Sequence, residues 1–518
     1  MPTPTPVVHA PLQGSARLIG TVALSAATFM NVLDSSIANV SLPAIAGDLG
    51  VSPNQGTWVI TSFGVANAIA LPLTGWLSQR FGQVRLFMTS VLLFVLTSWL
   101  CGLAPNMTAL IGLRALQGFV AGPMIPLSQA LLLSSYPRHL AGLAMALWAM
   151  TTLVAPVTGP LLGGWITDHI NWSWIFYINI PVGLLAASLT WSIYRKREST
   201  TRKLPIDSVG LGLLVLWVGA LQIMLDKGKE LDWFHSAEVT ALAVVAVVGF
   251  AFFLAWELTE DHPVVDLSLF KRRNFWTGTL TTAVGYGLFF GNVVLLPLWL
   301  QQFMGYTATA AGMMLAPVGL FAILLSPLVG KNISKVDPRG LASFAFLVFA
   351  VVLLMRSHFN TTADFDTLMR PTIVQGVAMA FFFIPLATIT LSGLTPDRIP
   401  SASGLSNFAR ITAGSFGTSI ATTIWEDRAA MHHAQLVESI NTGSVPATSA
   451  LAGLSSAGLS PEQALGQVNR LIDQQAFMLA ANDVFYASAL IFLALIPFVW
   501  LSRPQRNSAT ADAGAGAH

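Results

Sequence analysis

The sequence predicts an all-α polytopic membrane protein with fourteen transmembrane helices, and three observations carry that prediction. Only 10% of the 518 residues are charged and 54% are hydrophobic, whereas an average soluble domain carries about 25% charged residues. Such a chain cannot cover a water-facing surface. Its uncharged runs match the roughly 20 residues of helix that cross a bilayer core, and they lack the short apolar/polar alternation of barrel strands. Lastly, its basic residues sort by side once the runs are threaded across a bilayer.

The apolar spans are 17–42, 57–77, 84–104, 107–134, 140–166, 174–194, 207–226, 238–258, 276–300, 310–330, 340–355, 371–394, 401–424 and 481–502. With the N-terminus in the cytoplasm, eighteen of the 26 Lys and Arg fall in cytoplasmic segments and six, Arg356 among them, fall outside. Arg114 and Arg410 remain within spans. A missed or invented span would invert every later loop, so the positive-inside rule supports an even count with both termini cytoplasmic.

Residues 1–16 form a polar N-terminal tail with no basic n-region or cleavage site, so the first apolar run reads as a retained helix. A six-helix bundle is expected over 17–194. A basic linker and two inserted helices occupy 195–274, and a second six-helix bundle spans 275–502. The low-complexity tail 503–518 is expected to be flexible and cytoplasmic. Within the second bundle, 426–479 is a long polar periplasmic loop. Ser460-Pro461-Glu462 reads as a helix start, with Pro at the first position and an acid in the first turn. Asn441–Ser460 has the composition of disorder. Its flanks, Glu426–Ile440 and Pro461–Leu479, are helical in composition and present Leu436, Ile440, Leu465 and Leu471 as an apolar stripe suited to a partner.

The two bundles are related by an internal repeat. Pro72-Leu73-x-Gly75 followed by Arg80 recurs as Pro327-Leu328-x-Gly330 followed by Lys335. Gln117-Gly118 with Ile125-Pro126-Leu127 recurs as Gln375-Gly376 with Ile384-Pro385-Leu386. Duplicated halves of this kind are typical of secondary transporters.

Net charge is +2, so no nucleic-acid partner is implied. The single cysteine, Cys101, excludes a disulfide and a Cys-based metal site. There is no G-x-x-x-x-G-K-[ST] for ATP-driven pumping and no H-E-x-x-H for a metalloenzyme, so neither a cofactor nor enzymatic activity is expected. Asp34 is the one carboxylate well inside a span. A charged acid at the bilayer centre costs roughly 2.5–3.5 kcal/mol, and desolvation favours its neutral form. That makes Asp34 a proton carrier or cation site, with a structural hydrogen bond to a neighbouring helix as the alternative. Arg114, mid-span, needs an anion or several carbonyls; Asp34 is a candidate partner, and a structural clamp is the other reading. Arg410 lies in a Ser- and Gly-rich span, either buried or snorkelling, with a structural or a coupling role. Ala155-Pro156-Val-Thr-Gly159-Pro160-Leu-Leu-Gly163-Gly164 is expected to bend span five, as a gate at the interface of the halves or, on the other reading, as a packing motif alone.

Taken together these residues resemble the fourteen-helix drug:proton antiporters of the major facilitator superfamily. Leu33-Asp34 through Pro43 is similar to their first-helix signature, and Gly75 through Arg80 and Gly82 to the loop-two motif. Leu110–Gly118 with Arg114 is similar to the fourth-helix proton-relay motif. Ala155–Gly164 is similar to the fifth-helix antiporter motif, with Ala155 in place of its first glycine. Trp172 through Gly183 also matches this branch, and the likeness covers nearly the whole chain. The resemblance implies a major facilitator fold of two six-helix bundles plus two inserted helices. It also implies proton-coupled export of hydrophobic toxic compounds from a bacterial inner membrane, with Asp34 and Arg114 in proton coupling. Further implied are Pro156, Gly159, Pro160, Gly163 and Gly164 in gating, and a tripartite pump with an EmrA-type periplasmic adaptor and a TolC-like outer-membrane channel. Gln79 stands where the family carries an acid, which removes one half of its usual charge interaction. A same-fold exporter of a lipid, fatty acid or siderophore is the alternative.

Overall fold

The computed structural model describes residues 9–202, 205–438 and 444–503. Helix is the only regular structure among them, as required where no water can satisfy the backbone inside a bilayer. The long helices are α1 (Gly14–Asp48), α2 (Trp58–Phe81), α3 (Gln83–Gly102), α4 (Met107–Ser135), α5 (Ala141–His169), α6 (Trp174–Tyr194) and α7 (Ser208–Lys227). They continue as α8 (Ala237–Thr259), α9 (Arg273–Phe303), α10 (Ala308–Asn332), α11 (Pro338–Arg356), α12 (Phe365–Leu391), α13 (Ile399–Glu438) and α14 (Pro461–Val499). Twelve of these are long and apolar enough to cross a membrane. The other two, α5 and α13, run for 29 and 40 residues at the predicted fifth and thirteenth spans. Helix α4 is broken once, at Gly122-Pro123, where a side chain on Gly122 would meet the Ala70 backbone carbon at 3.1 Å.

Helices α1–α6 pack mainly on one another, and so do α9–α14. In the inserted pair α8 packs on α7, and α7 packs against α2 and α13. The halves meet chiefly at α5 against α10 and α2 against α13. The repeat relates α2 to α10 and α5 to α13, so these two contacts are copies of each other.

Each contact closes through the repeated glycine. A Cβ on Gly75 would lie 2.8 Å from the Ser401 Cα, and one on Gly330 would lie 2.6 Å from the Gly142 carbonyl oxygen. Gly75 and Gly330 stand near the ends of α2 and α10, Gly142 and Ser401 near the starts of α5 and α13. The halves are therefore closed on each other at the face that carries the chain termini.

The segment beyond α13 departs from expectation in one respect. Val445–Ser456, inside the stretch with the composition of disorder, is a helix with Pro446 in its first turn. The flanks are helical as expected: α13 continues to Glu438, and α14 starts at Pro461 with a capping box between Ser460 and Gln463. Forty residues of helix span about 60 Å, against a hydrocarbon core of about 30 Å, so α13 and α14 both project well past it. Asp483 of α14 accepts from Arg428 Nε (2.8 Å) and pairs with His432 (2.7 Å) on α13, tying the projections into a hairpin. Leu465, Leu471, Val437 and Val445 are exposed on it; Ile440 lies outside the described residues.

Candidate functional site

Asp34 and Arg114 are both fully buried, and Arg114 Nη1 donates to Asp34 Oδ2 at 2.5 Å. The Arg114 side chain spans the gap from α4 to α1, with Nε donating to the Val59 carbonyl at 3.1 Å and Nη1 also donating to Gln117 Oε1 at 2.7 Å. Its guanidinium lies 4.3 Å from the centre of the Phe63 ring and 5.5 Å from that of Phe176. The other carboxylate oxygen, Oδ1, accepts from Asn179 Nδ2 at 2.7 Å and Gln117 Nε2 at 3.3 Å. Ser98 Oγ accepts from the same two amides, at 3.2 and 2.7 Å. The structure thus brings together the two charges that the sequence singled out. It adds Gln117, which the sequence marks only through the internal repeat, and Asn179 and Ser98, uncharged residues that no spacing argument separates from ordinary polar positions.

The antiporter-motif glycines sit behind this pair. A Cβ on Gly159 would lie 2.7 Å from Ser36 Cβ, and one on Gly163 would lie 2.9 Å from the Ile37 carbonyl oxygen. Ser36 Oγ donates to the Pro156 carbonyl at 3.2 Å. Gly164 is looser, 3.9 Å from Val40, and the Pro160 side chain is outside the described residues. The motif therefore presses α5 onto α1 beside Asp34, within the first half. The same helix packs on α10 of the second half, where Gly142 and Ala146 lie close to Gly330 and Ile333. The helix runs unbroken through both prolines.

In the loop-two motif Gly82 has φ +90°, a backbone region where only glycine is free of strain. This turn brings the start of α3 onto Glu198 of the linker, whose carboxylate accepts from Val84 N (3.0 Å) and Arg85 N (2.9 Å). Arg202 N donates to the Gln79 carbonyl at 2.8 Å. The linker thus supplies an acid next to the motif that carries Gln79. Arg80 lies over Trp76, 5.4 Å from the ring centre.

Arg410 is buried rather than snorkelling. It donates to Asn407 Oδ1 at 2.9 Å and faces the Tyr286 and Phe383 rings at 4.7 and 5.6 Å. Arg356 requires a correction. Its position at a span end reads as an outside loop charge, yet it is the last residue of α11 and fully buried, covered by α12. Elsewhere, a cavity of about 610 Å³ opens between α7, α8, α2 and α13, lined by Trp217, Phe250, Phe253, Leu405, Phe408 and Phe416 among others. No group of metal-ligating side chains occurs among the described residues.

The Major Facilitator Superfamily profile matches residues 24–418. The chain is 52% identical to the Multidrug export protein EmrB of Escherichia coli K12 over 509 residues, covering 98% of this chain and 99% of that protein. It is 48% identical to the Fatty acid resistance protein FarB of Neisseria gonorrhoeae over 510 residues, covering 98% and 100%. Among solved structures, the human organic anion transporter MFSD10 superposes with a TM-score of 0.59 at 14% identity, covering 94% of this chain and all of that one. Profile, relatives and architecture agree: the chain is a multi-pass membrane protein that belongs to the major facilitator superfamily of transporters.

Proposed function

We propose that this chain is a drug:proton antiporter of a bacterial inner membrane, exporting hydrophobic toxic compounds as the inner-membrane component of a tripartite pump. The observation that carries the reading is the Asp34–Arg114 pair, fully buried in the first half of a chain whose relatives include a multidrug export protein. In the paired form Asp34 is an anion held by one cation and two amides. A proton arriving on Asp34 removes its charge and leaves Arg114 with the Val59 carbonyl and Gln117 as acceptors. The clamp between α1 and α4 then loosens, while α1 stays seated on α5 through Gly159 and Gly163. Movement of α1 and α5 together transmits proton binding toward the contact of α5 with α10, where the halves separate or close.

The 18-to-6 distribution of basic residues supports a cytoplasmic location for both termini, so the closed face is the cytoplasmic one. The helical hairpin then projects into the periplasm, and its exposed Leu465 and Leu471 support docking of an EmrA-like adaptor that leads to a TolC-like channel. Aromatic lining of the cavity beside α13 suits hydrophobic cargo. A second reading, export of a fatty acid, is favoured by the similarity to a fatty acid resistance protein.

The test is transport in proteoliposomes with an imposed pH gradient, using a panel of hydrophobic compounds and a long-chain fatty acid. Gradient-driven export by the wild type and its loss in Asp34→Asn are expected. Undiminished export by Asp34→Asn would overturn the coupling role, and export of the fatty acid alone would favour the second reading.

A further inference from the structure

The second half contains a counterpart of the Asp34 site with its charges altered. An offset of 258 residues, against 255 at Pro72 and Pro327 in α2 and α10, relates Asp34 to Asn292, Ser98 to Arg356, Arg114 to Thr372 and Gln117-Gly118 to Gln375-Gly376. The contacts support the register. Asn292, buried in α9, donates to Ser488 of α14 at 3.1 Å, much as Asp34 of α1 is met by Asn179 of α6. Gln375 accepts from Arg356 at 2.6 Å, as Gln117 accepts from Arg114 at 2.7 Å. The guanidinium has been kept and moved to the neighbouring helix, while the carboxylate has become an amide.

Arg356 is left without a counter-charge. Its Nη2 reaches Gln375 and, at 3.2 Å, Thr372, but Nε and Nη1 are buried with no acceptor in the protein. No carboxylate among the described residues lies within ion-pair distance of it. Arg114 also has one unpaired nitrogen, yet Asp34 balances its charge. A guanidinium stays protonated in any protein environment, and a buried, uncompensated cation is strongly unfavourable. Close by, Phe359 stacks on Trp299, whose buried indole nitrogen is likewise unpaired.

We propose that Arg356, with Thr372 and Gln375, forms an anion-binding site in the second half. Its ligand is a singly charged anion, matching the one cation: a free halide or the carboxylate head of an amphiphile. The ligand supplies the charge that Asp34 supplies in the first half, so the protein holds one fixed and one exchangeable anion in symmetry-related places. The reasoning uses burial and charge alone and does not depend on the direction of transport.

The test is thermal unfolding of the purified full-length protein in zwitterionic nanodiscs. Sodium gluconate is replaced by chloride or bromide at constant ionic strength, and oleate is added separately in gluconate. A saturable rise in Tm is expected for the wild type and no rise for Arg356→Gln. A response to the halides assigns the site to a free inorganic anion, and a response to oleate alone assigns it to an amphiphile's carboxylate. The proposal is overturned by a wild type indifferent to all three anions or by an equal rise in Arg356→Gln.

Discussion

Replacing Asp34 by asparagine changes almost no volume, so its effect isolates charge and hydrogen-bond polarity. The carboxylate accepts on both sides: Oδ2 from Arg114, Oδ1 from Asn179 and Gln117. An asparagine can keep an oxygen on one side only. With its NH2 toward Arg114 it sets donor against donor at about the original 2.5 Å separation. With its NH2 toward Asn179, relief requires that amide to turn over and present its Oδ1, which is unpaired in the present arrangement. Either way Arg114 becomes a buried cation with neutral acceptors only. Breaking one side of a buried ion pair costs about 3–5 kcal/mol, and the remaining hydrogen bonds place Asp34→Asn toward the lower end. Arg114→Met alone strands the carboxylate instead and is expected to lose a similar amount. In the double variant neither charge remains, so the loss is expected to be well below the sum, with a coupling of about 2–3 kcal/mol. Reversible unfolding of the four proteins in nanodiscs measures this cycle directly. Additive losses would mean that the two residues do not act as a pair, and the mechanism built on their separation would fall.

Two other perturbations follow from the architecture. A Cβ at Gly142 would lie 2.5 Å from the Gly330 carbonyl oxygen, closer than any side chain is tolerated. Gly142→Val is therefore expected to prevent closure of the terminus-bearing face and impair transport; full activity of that variant would show that this face need not close. Replacing the exposed Leu465 and Leu471 by serine is expected to spare transport in vesicles while weakening co-purification with the adaptor, and the reverse outcome would place the hairpin in the transport machinery.

The helices were legible because a bilayer tests every residue against one property, and long apolar runs pass it. Helix α13 is the instructive exception. Its apolar signal is weak because its neighbours are helices and not lipid: a Cβ on Gly417 would meet the Gly287 Cα at 2.7 Å, and one on Gly414 would meet the Tyr286 ring at 3.0 Å. Small residues suit such an interior helix better than leucine, so burial among helices lowers the hydropathy that betrays a span. Charge shows the same logic. Asp34 and Arg114 stood out because an ion at mid-span needs a reason, whereas Asn179 and Ser98 are inexpensive enough to pass unnoticed and Gln117 shows only as part of the repeat. Arg356 was misread because a charge at a helix end ordinarily reaches water, and only the covering α12 denies it that.

The fifth-helix motif shows where sequence reasoning stops. Its glycines announce that something comes close, but a glycine carries no information about what. The structure supplies the partner, α1, and that changes the motif's physical meaning. A motif at the junction of the halves would act as a hinge or gate by itself. One that holds Ser36 and Ile37 within contact distance, two and three residues from Asp34, seats α5 directly on the helix that carries the buried carboxylate. Its opposite end, at Gly142, meets Gly330 and Ile333 of α10, one of the two chief contacts between the halves. The pair α1 and α5 therefore connects the Asp34 carboxylate to that contact.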